Sequence, residues 1–150
     1  MVPGKLVHLI ETHSEQIVAR VVSHIRRDPE LTHLRALLDS ELREWGQDLL
    51  QNLGHWLSPN NLEDLARQYE RLGRLRCEEG IPLEESVRGL CLVREKILDY
   101  VEEQVPSNSS LELYAEEQLE RRLGRCFDLL LIHLVRGYER ALRKAALASA

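Results

Sequence analysis

The chain has 150 residues, of which 43% are hydrophobic and 30% charged. That globular balance excludes disordered and fibrous classes and suits one domain, 1–150, with a buried core. Twenty Lys and Arg against 25 Asp and Glu give a net charge of −5, without the basic excess or stripe of a nucleic-acid binder.

Leucine occurs 29 times, while valine, isoleucine and threonine together reach 18. Unbranched side chains lose little rotamer freedom in a helix, so the chain is predicted to be all-α, with five helices. Pro3-Gly4 opens the first, which runs to Arg27 before Asp28-Pro29, with Leu6, Ile10, Ile17, Val21 and Ile25 at helical spacing. The apolar stretch ahead of Glu11 is too short for a signal-peptide core. Thr32 is the expected N-cap of a second helix reaching about Leu57. Ser58-Pro59-Asn60-Asn61 stops it and caps a third, about 61–79, after which Gly80 is a C′ residue and Pro82 opens the fourth. The fourth ends near Gln104, and Val105-Pro106-Ser107-Asn108-Ser109-Ser110 leads into the fifth.

The fifth predicted helix, Leu111 to Leu147, has 37 residues, or about 55 Å, against roughly 40 Å for a compact domain of this size. It carries two apolar faces. One is Leu119, Leu123, Phe127, Leu130, Leu134 and Tyr138; the other is Leu129, Ile132 and Val135. The second face is either covered by the protomer itself or the seam of a homodimer.

No phosphate-binding loop, zinc-protease, nucleophile-elbow or CxxC motif is present, which argues against an enzyme. Cys77, Cys91 and Cys126 are odd in number and fit reduced thiols in the cytoplasm. The acidic pairs Glu78-Glu79, Glu84-Glu85, Glu102-Glu103 and Glu116-Glu117 read as solvated helix surface. No charge-free run approaches the roughly 20 residues of a membrane span. An all-α chain of this size can hold haem, and His13, His24 or His55 is the candidate iron ligand; the third helix contains no histidine.

Two arginines stand out. Arg76 falls within the face set by Leu62, Leu65, Tyr69 and Leu72, and Arg94 near the centre of the face set by Val87, Leu90, Cys91, Ile97 and Val101. An unpaired interior cation is costly, so each is expected to find a carboxylate, carbonyls, an aromatic face or a bound anion. The short connection Gly80–Pro82 makes helices three and four expected neighbours, with Arg94 level with Tyr69 and stacked on or bonded to it. Arg76, nearer the turn, is level with Ser86 instead; Tyr69, Arg76 and Arg94 are the candidate residues for a buried charge or a small ligand.

The run Tyr69-x3-Gly73-x2-Arg76-x3-Gly80-Ile81-Pro82-Leu83-x3-Val87-x2-Leu90-x3-Arg94 resembles the N-terminal domain of the RsbRD-type stressosome co-antagonists and related domains that precede bacterial histidine kinases. The resemblance implies a five-helix globin-like bundle without haem. It implies a bacterial, non-enzymatic sensor domain that dimerises and passes a signal through its last helix to an output partner. A haem- or cofactor-binding globin sensor is the alternative.

Overall fold

The structure is a computed structural model and describes residues 3–105 and 109–149. The order of helices is α1 (Pro3–Thr12), α2 (Ser14–Arg27), α3 (Asp39–Gln51), α4 (Leu53–Leu57), α5 (Leu62–Glu78), α6 (Leu83–Gln104) and α7 (Ser110–Ala148), with 3-10 turns at Leu34–Ala36 and Pro59–Asn61. No strand occurs among the described residues. The chain is all-α and ends in a long helix, as composition implies, but the described residues form seven helices, where the sequence patterns suggested five.

The extra boundaries have identifiable causes. The first predicted helix bends at His13, whose Nδ1 donates to the Leu9 carbonyl at 3.0 Å. The bend lets α1 pack on α7 and α4 while α2 packs on α3 and α6. Thr32 caps no helix; its hydroxyl donates to the Pro29 carbonyl at 3.2 Å. The stretch 33–38 is instead held from two sides. Glu85 accepts from the His33 and Leu34 amides at 2.9 and 3.1 Å, and Arg26 donates to the carbonyls of Arg35 and Leu37 and to Asp39. With its backbone groups taken by these side chains, the segment makes one 3-10 turn and α3 starts only at Asp39. Asn52 separates α3 from α4, its Nδ2 bonding back to the Asp48 carbonyl at 3.0 Å. Ser109 caps α7, its hydroxyl accepting from the Glu112 amide at 3.2 Å. Of the predicted connection, Pro106, Ser107 and Asn108 lie outside the described residues.

One hydrophobic core reaches from Leu6 to Leu134, with Ile10, Ile17, Leu49, Leu50, Leu90 and Leu130 fully buried. The tightest packing joins α5 and α7. Gly73 faces the Leu134 carbonyl and Gly137 the Glu70 carbonyl, where an added Cβ would sit 2.1 and 2.0 Å from those oxygens. Backbone meets backbone at this crossing, a distance that only glycine on both helices permits. Beside it Glu70 bridges the pair, accepting from His133 Nδ1 at 2.8 Å and Arg140 Nη1 at 2.7 Å. The Tyr138 hydroxyl donates to the Ile81 carbonyl at 2.6 Å and ties α7 to the turn after α5.

α7 has 39 residues, about 58 Å. Beyond Ala141 every described residue of it is exposed, including Leu142 and Leu147 at 56% and 78%.

Candidate functional site

The site is built on the end of α5. Gly80, at φ +75°, lets the chain reverse: its amide bonds to the Cys77 carbonyl at 3.1 Å and that of Ile81 to the Arg76 carbonyl at 3.0 Å. These are the two bonds of a Schellman ending, which requires a left-handed residue at C′. The geometry fixes Arg76 on the last turn of α5, where a cation also meets the negative end of the helix dipole.

Arg76 is 6% exposed. Its Nη1 donates to Glu79 Oε1 at 2.9 Å, and its guanidinium lies 5.9 Å from the centre of the Trp45 ring on α3. It therefore has both a carboxylate and an aromatic face, two of the partners that a buried arginine needs. Two turns further in, the Tyr69 ring stands edge-on to Trp56 at 6.2 Å, and Trp56 edge-on to His55 at 4.8 Å. Burial pushes the Tyr69 hydroxyl well above the ordinary tyrosine range, opposed weakly by the nearby Trp45 indole. That contact is too loose for a formed hydrogen bond: the indole N–H groups of Trp45 and Trp56 are buried and have no acceptor among the described residues. Trp45, Asp48, Gln68, Tyr69, Arg71, Leu72 and Leu75 line a cavity of about 160 Å³ between α3 and α5. It is small and mainly apolar.

Cys126 of α7 is buried near Tyr69, its thiol donating to the Trp56 carbonyl at 3.7 Å. Burial pushes that thiol up to about 11, so little thiolate exists near neutral pH. Native protein treated with iodoacetamide is expected to take at most two adducts, on the half-buried Cys77 and Cys91, and a third only in denaturant. Three adducts on folded protein, read by intact mass, would contradict this burial.

Arg94 does not join the cluster. It is half-buried in a separate groove between α2 and α6, lined also by His24, Asp28, Leu31 and Arg88. It makes no ion pair or hydrogen bond among the described residues. The expected Arg94–Tyr69 contact fails because α5, despite the short turn, spends its inward face on α7, and α6 packs on α7 and α2. The three candidate haem ligands lie apart. His13 is bonded to the Leu9 carbonyl, His24 lies 3.6 Å from Asp28 and His55 2.8 Å from Asp64. They belong to no cluster of three or more possible metal ligands among the described residues. On α7 Ile132 is 50% exposed, while Leu129 and Val135 are half-buried, Leu129 against the core.

Glu85 is the residue whose role the sequence reading missed. The pair Glu84-Glu85 reads as solvated surface in the sequence, yet Glu85 is 6% exposed and receives three bonds, the last from His33 Nδ1 at 2.6 Å. Its spacing to Gly89 and Leu92, both buried, is the available signal.

Tyr69, Gly73, Arg76, Ile81 and Leu90 are all buried, and among the described residues Gly80 alone has positive φ. The run that carried the resemblance is therefore a structural unit, the end of α5, its turn and the start of α6. A family model described as the RsbT co-antagonist protein RsbRD N-terminal domain matches residues 15–150. The chain belongs to that family. No curated protein and no solved structure matches it. RsbRD N-terminal domains are stressosome-associated signalling domains. Here the matched span begins at the second residue of α2, and α1, which precedes it, completes the same core. Among the described residues of this RsbRD N-terminal domain no helix is long and apolar enough to cross a membrane.

Proposed function

We propose that the chain is a non-enzymatic bacterial sensor domain, globin-like in plan, that works in the cytoplasm as a homodimer. A small ligand or partner acts at the cavity lined by Trp45 and Tyr69, and α7 carries the response to an output partner. The observation that carries the reading is α7 itself. It leaves Ile132 half-exposed between Leu129 and Val135 and continues seven exposed residues, 142–148, past its own core. The route from cavity to helix is also favourable. Tyr69 and Arg76 sit on α5, and α5 is fused to α7 by the paired glycines, so a shift of one is a shift of the other.

The test is oligomeric state. Light scattering at tens of micromolar is expected to give a dimer for the wild type and a folded monomer for Ile132→Glu, because an unpaired charge is costly in a dry seam. A monomeric wild type overturns the reading. An unfolded Ile132→Glu chain, seen by circular dichroism, assigns that face to the protomer's own core instead.

A further inference from the structure

Trp45 and Tyr69 line the same cavity between α3 and α5. The Trp45 indole N–H is buried and has no acceptor among the described residues. An indole can only donate, and a buried donor left unpaired is costly. Beside it stands the Tyr69 hydroxyl, which makes no formed hydrogen bond among the described residues either. A hydroxyl can accept and donate at once. Once the Tyr69 oxygen accepts from the indole, its own proton is available to an acceptor in the cavity. Burial holds that phenol well above the ordinary tyrosine range, so it stays a neutral donor. The cavity therefore selects for an acceptor.

The walls set size and charge. An apolar cavity of about 150 Å³ holds one benzene molecule, so a cavity of about 160 Å³ suits a molecule of about six to eight heavy atoms. Leu72 and Leu75 supply apolar wall, and Leu75 is 46% exposed. A single water occupies only about 30 Å³ and would leave that wall uncovered. Charge is balanced at the rim, where Asp48 and Arg71 are both exposed and opposite in sign. The buried cation of α5, Arg76, is not among the lining residues and is engaged by Glu79 and the Trp45 ring. An ionic ligand would shed its hydration here and find no unengaged counter-ion in the wall.

We propose that this cavity takes one small uncharged carbonyl compound, its oxygen accepting from the Tyr69 hydroxyl while that hydroxyl accepts from the Trp45 indole, and its apolar body lying on Leu72 and Leu75. The proposal rests on the sensor reading above and names the ligand class. A ligand so held joins Trp45 on α3 to Tyr69 on α5. Tyr69 directly precedes Glu70, whose carbonyl faces Gly137 and whose carboxylate holds His133 and Arg140. The hydroxyl that reads the ligand is thus one residue from the contact with α7.

The experiment titrates wild type and Tyr69→Phe with cyclohexanone, benzene and cyclohexanecarboxylate. It follows the indole N–H signals of the two tryptophans by NMR. Tyr69→Phe removes only a hydroxyl without a formed bond, so its circular dichroism should match the wild type. Cyclohexanone is expected to shift the Trp45 signal saturably, with a dissociation constant of about 1 mM, and cyclohexanecarboxylate to bind at least about tenfold more weakly. Tyr69→Phe should weaken cyclohexanone about five- to tenfold, the loss of one neutral hydrogen bond, and leave benzene unchanged. If Tyr69→Phe leaves cyclohexanone unaffected, or weakens benzene equally, the hydroxyl does not read the ligand and the carbonyl class is overturned. Tighter binding of the carboxylate overturns the uncharged class; in both cases the cavity remains the ligand site. If no probe moves the Trp45 signal at tens of millimolar, the cavity itself fails as a ligand site, while the dimer is judged separately by light scattering.

Discussion

Gly137→Ala is expected to destabilise the fold by about 2–3 kcal/mol. The new Cβ would lie 2.0 Å from the Glu70 carbonyl oxygen and 2.7 Å from its Cα. Both are backbone atoms, so no side chain can swing aside and α5 and α7 must part. Overpacking of this kind costs about 1–3 kcal/mol and sometimes more. Parting also lengthens the bonds grouped around the crossing, His133 and Arg140 to Glu70 and Tyr138 to Ile81. Against this, alanine gains about 1 kcal/mol of helix propensity over glycine. Gly124→Ala provides the control, because nothing lies within 4 Å of its Cβ position on the same helix. It should stabilise by about 0.5–1 kcal/mol. Urea midpoints for the two variants are expected to move in opposite directions; if both rise, the helices are not in backbone contact.

The same pair of glycines shows how far the sequence could be read. Helix ends marked by punctuation were legible: Asp28-Pro29 ends α2, Ser58 with Pro59 precedes α5, and Gly80 with Pro82 makes the turn between α5 and α6. Each of these acts through local backbone geometry, which the neighbouring residues state. Elements set by distant side chains were not legible. The stretch from Leu31 to Leu38 has helical spacing, but Glu85 and Arg26 take its backbone groups, and no periodicity announces a competitor some 50 residues away. Arg76 was found because a cation on an apolar stripe is an anomaly within its own helix. Arg94 looked like the same anomaly and was misplaced, because a short turn constrains which helices are adjacent in sequence and not which faces touch. Gly73 and Gly137 are ordinary helical glycines until the structure shows that each is opposite a carbonyl.

Glu85→Ala is the second large effect, and it would measure what the loop between α2 and α3 depends on. The carboxylate accepts from two amides, at least one of them buried, and from the His33 ring. Alanine removes all three bonds, and leaving a buried donor unpaired costs about 1–3 kcal/mol. A loss near 3 kcal/mol is expected, with Glu85→Gln intermediate because the amide keeps one acceptor oxygen but turns an NH2 toward the remaining donors. The damage should be local first. Arg26 still holds Arg35 and Leu37 from the α2 side, so α3 remains attached while residues 33–36 lose their clasp to α6. Amide exchange of His33 and Leu34 should therefore quicken well before the amides of α5 or α7 respond. If Glu85→Ala stays within about 0.5 kcal/mol of the wild type, a shift typical of plain surface sites, then Arg26 and the buried Leu31 and Leu34 hold the loop on their own. The carboxylate would then be a consequence of that fold and not its cause.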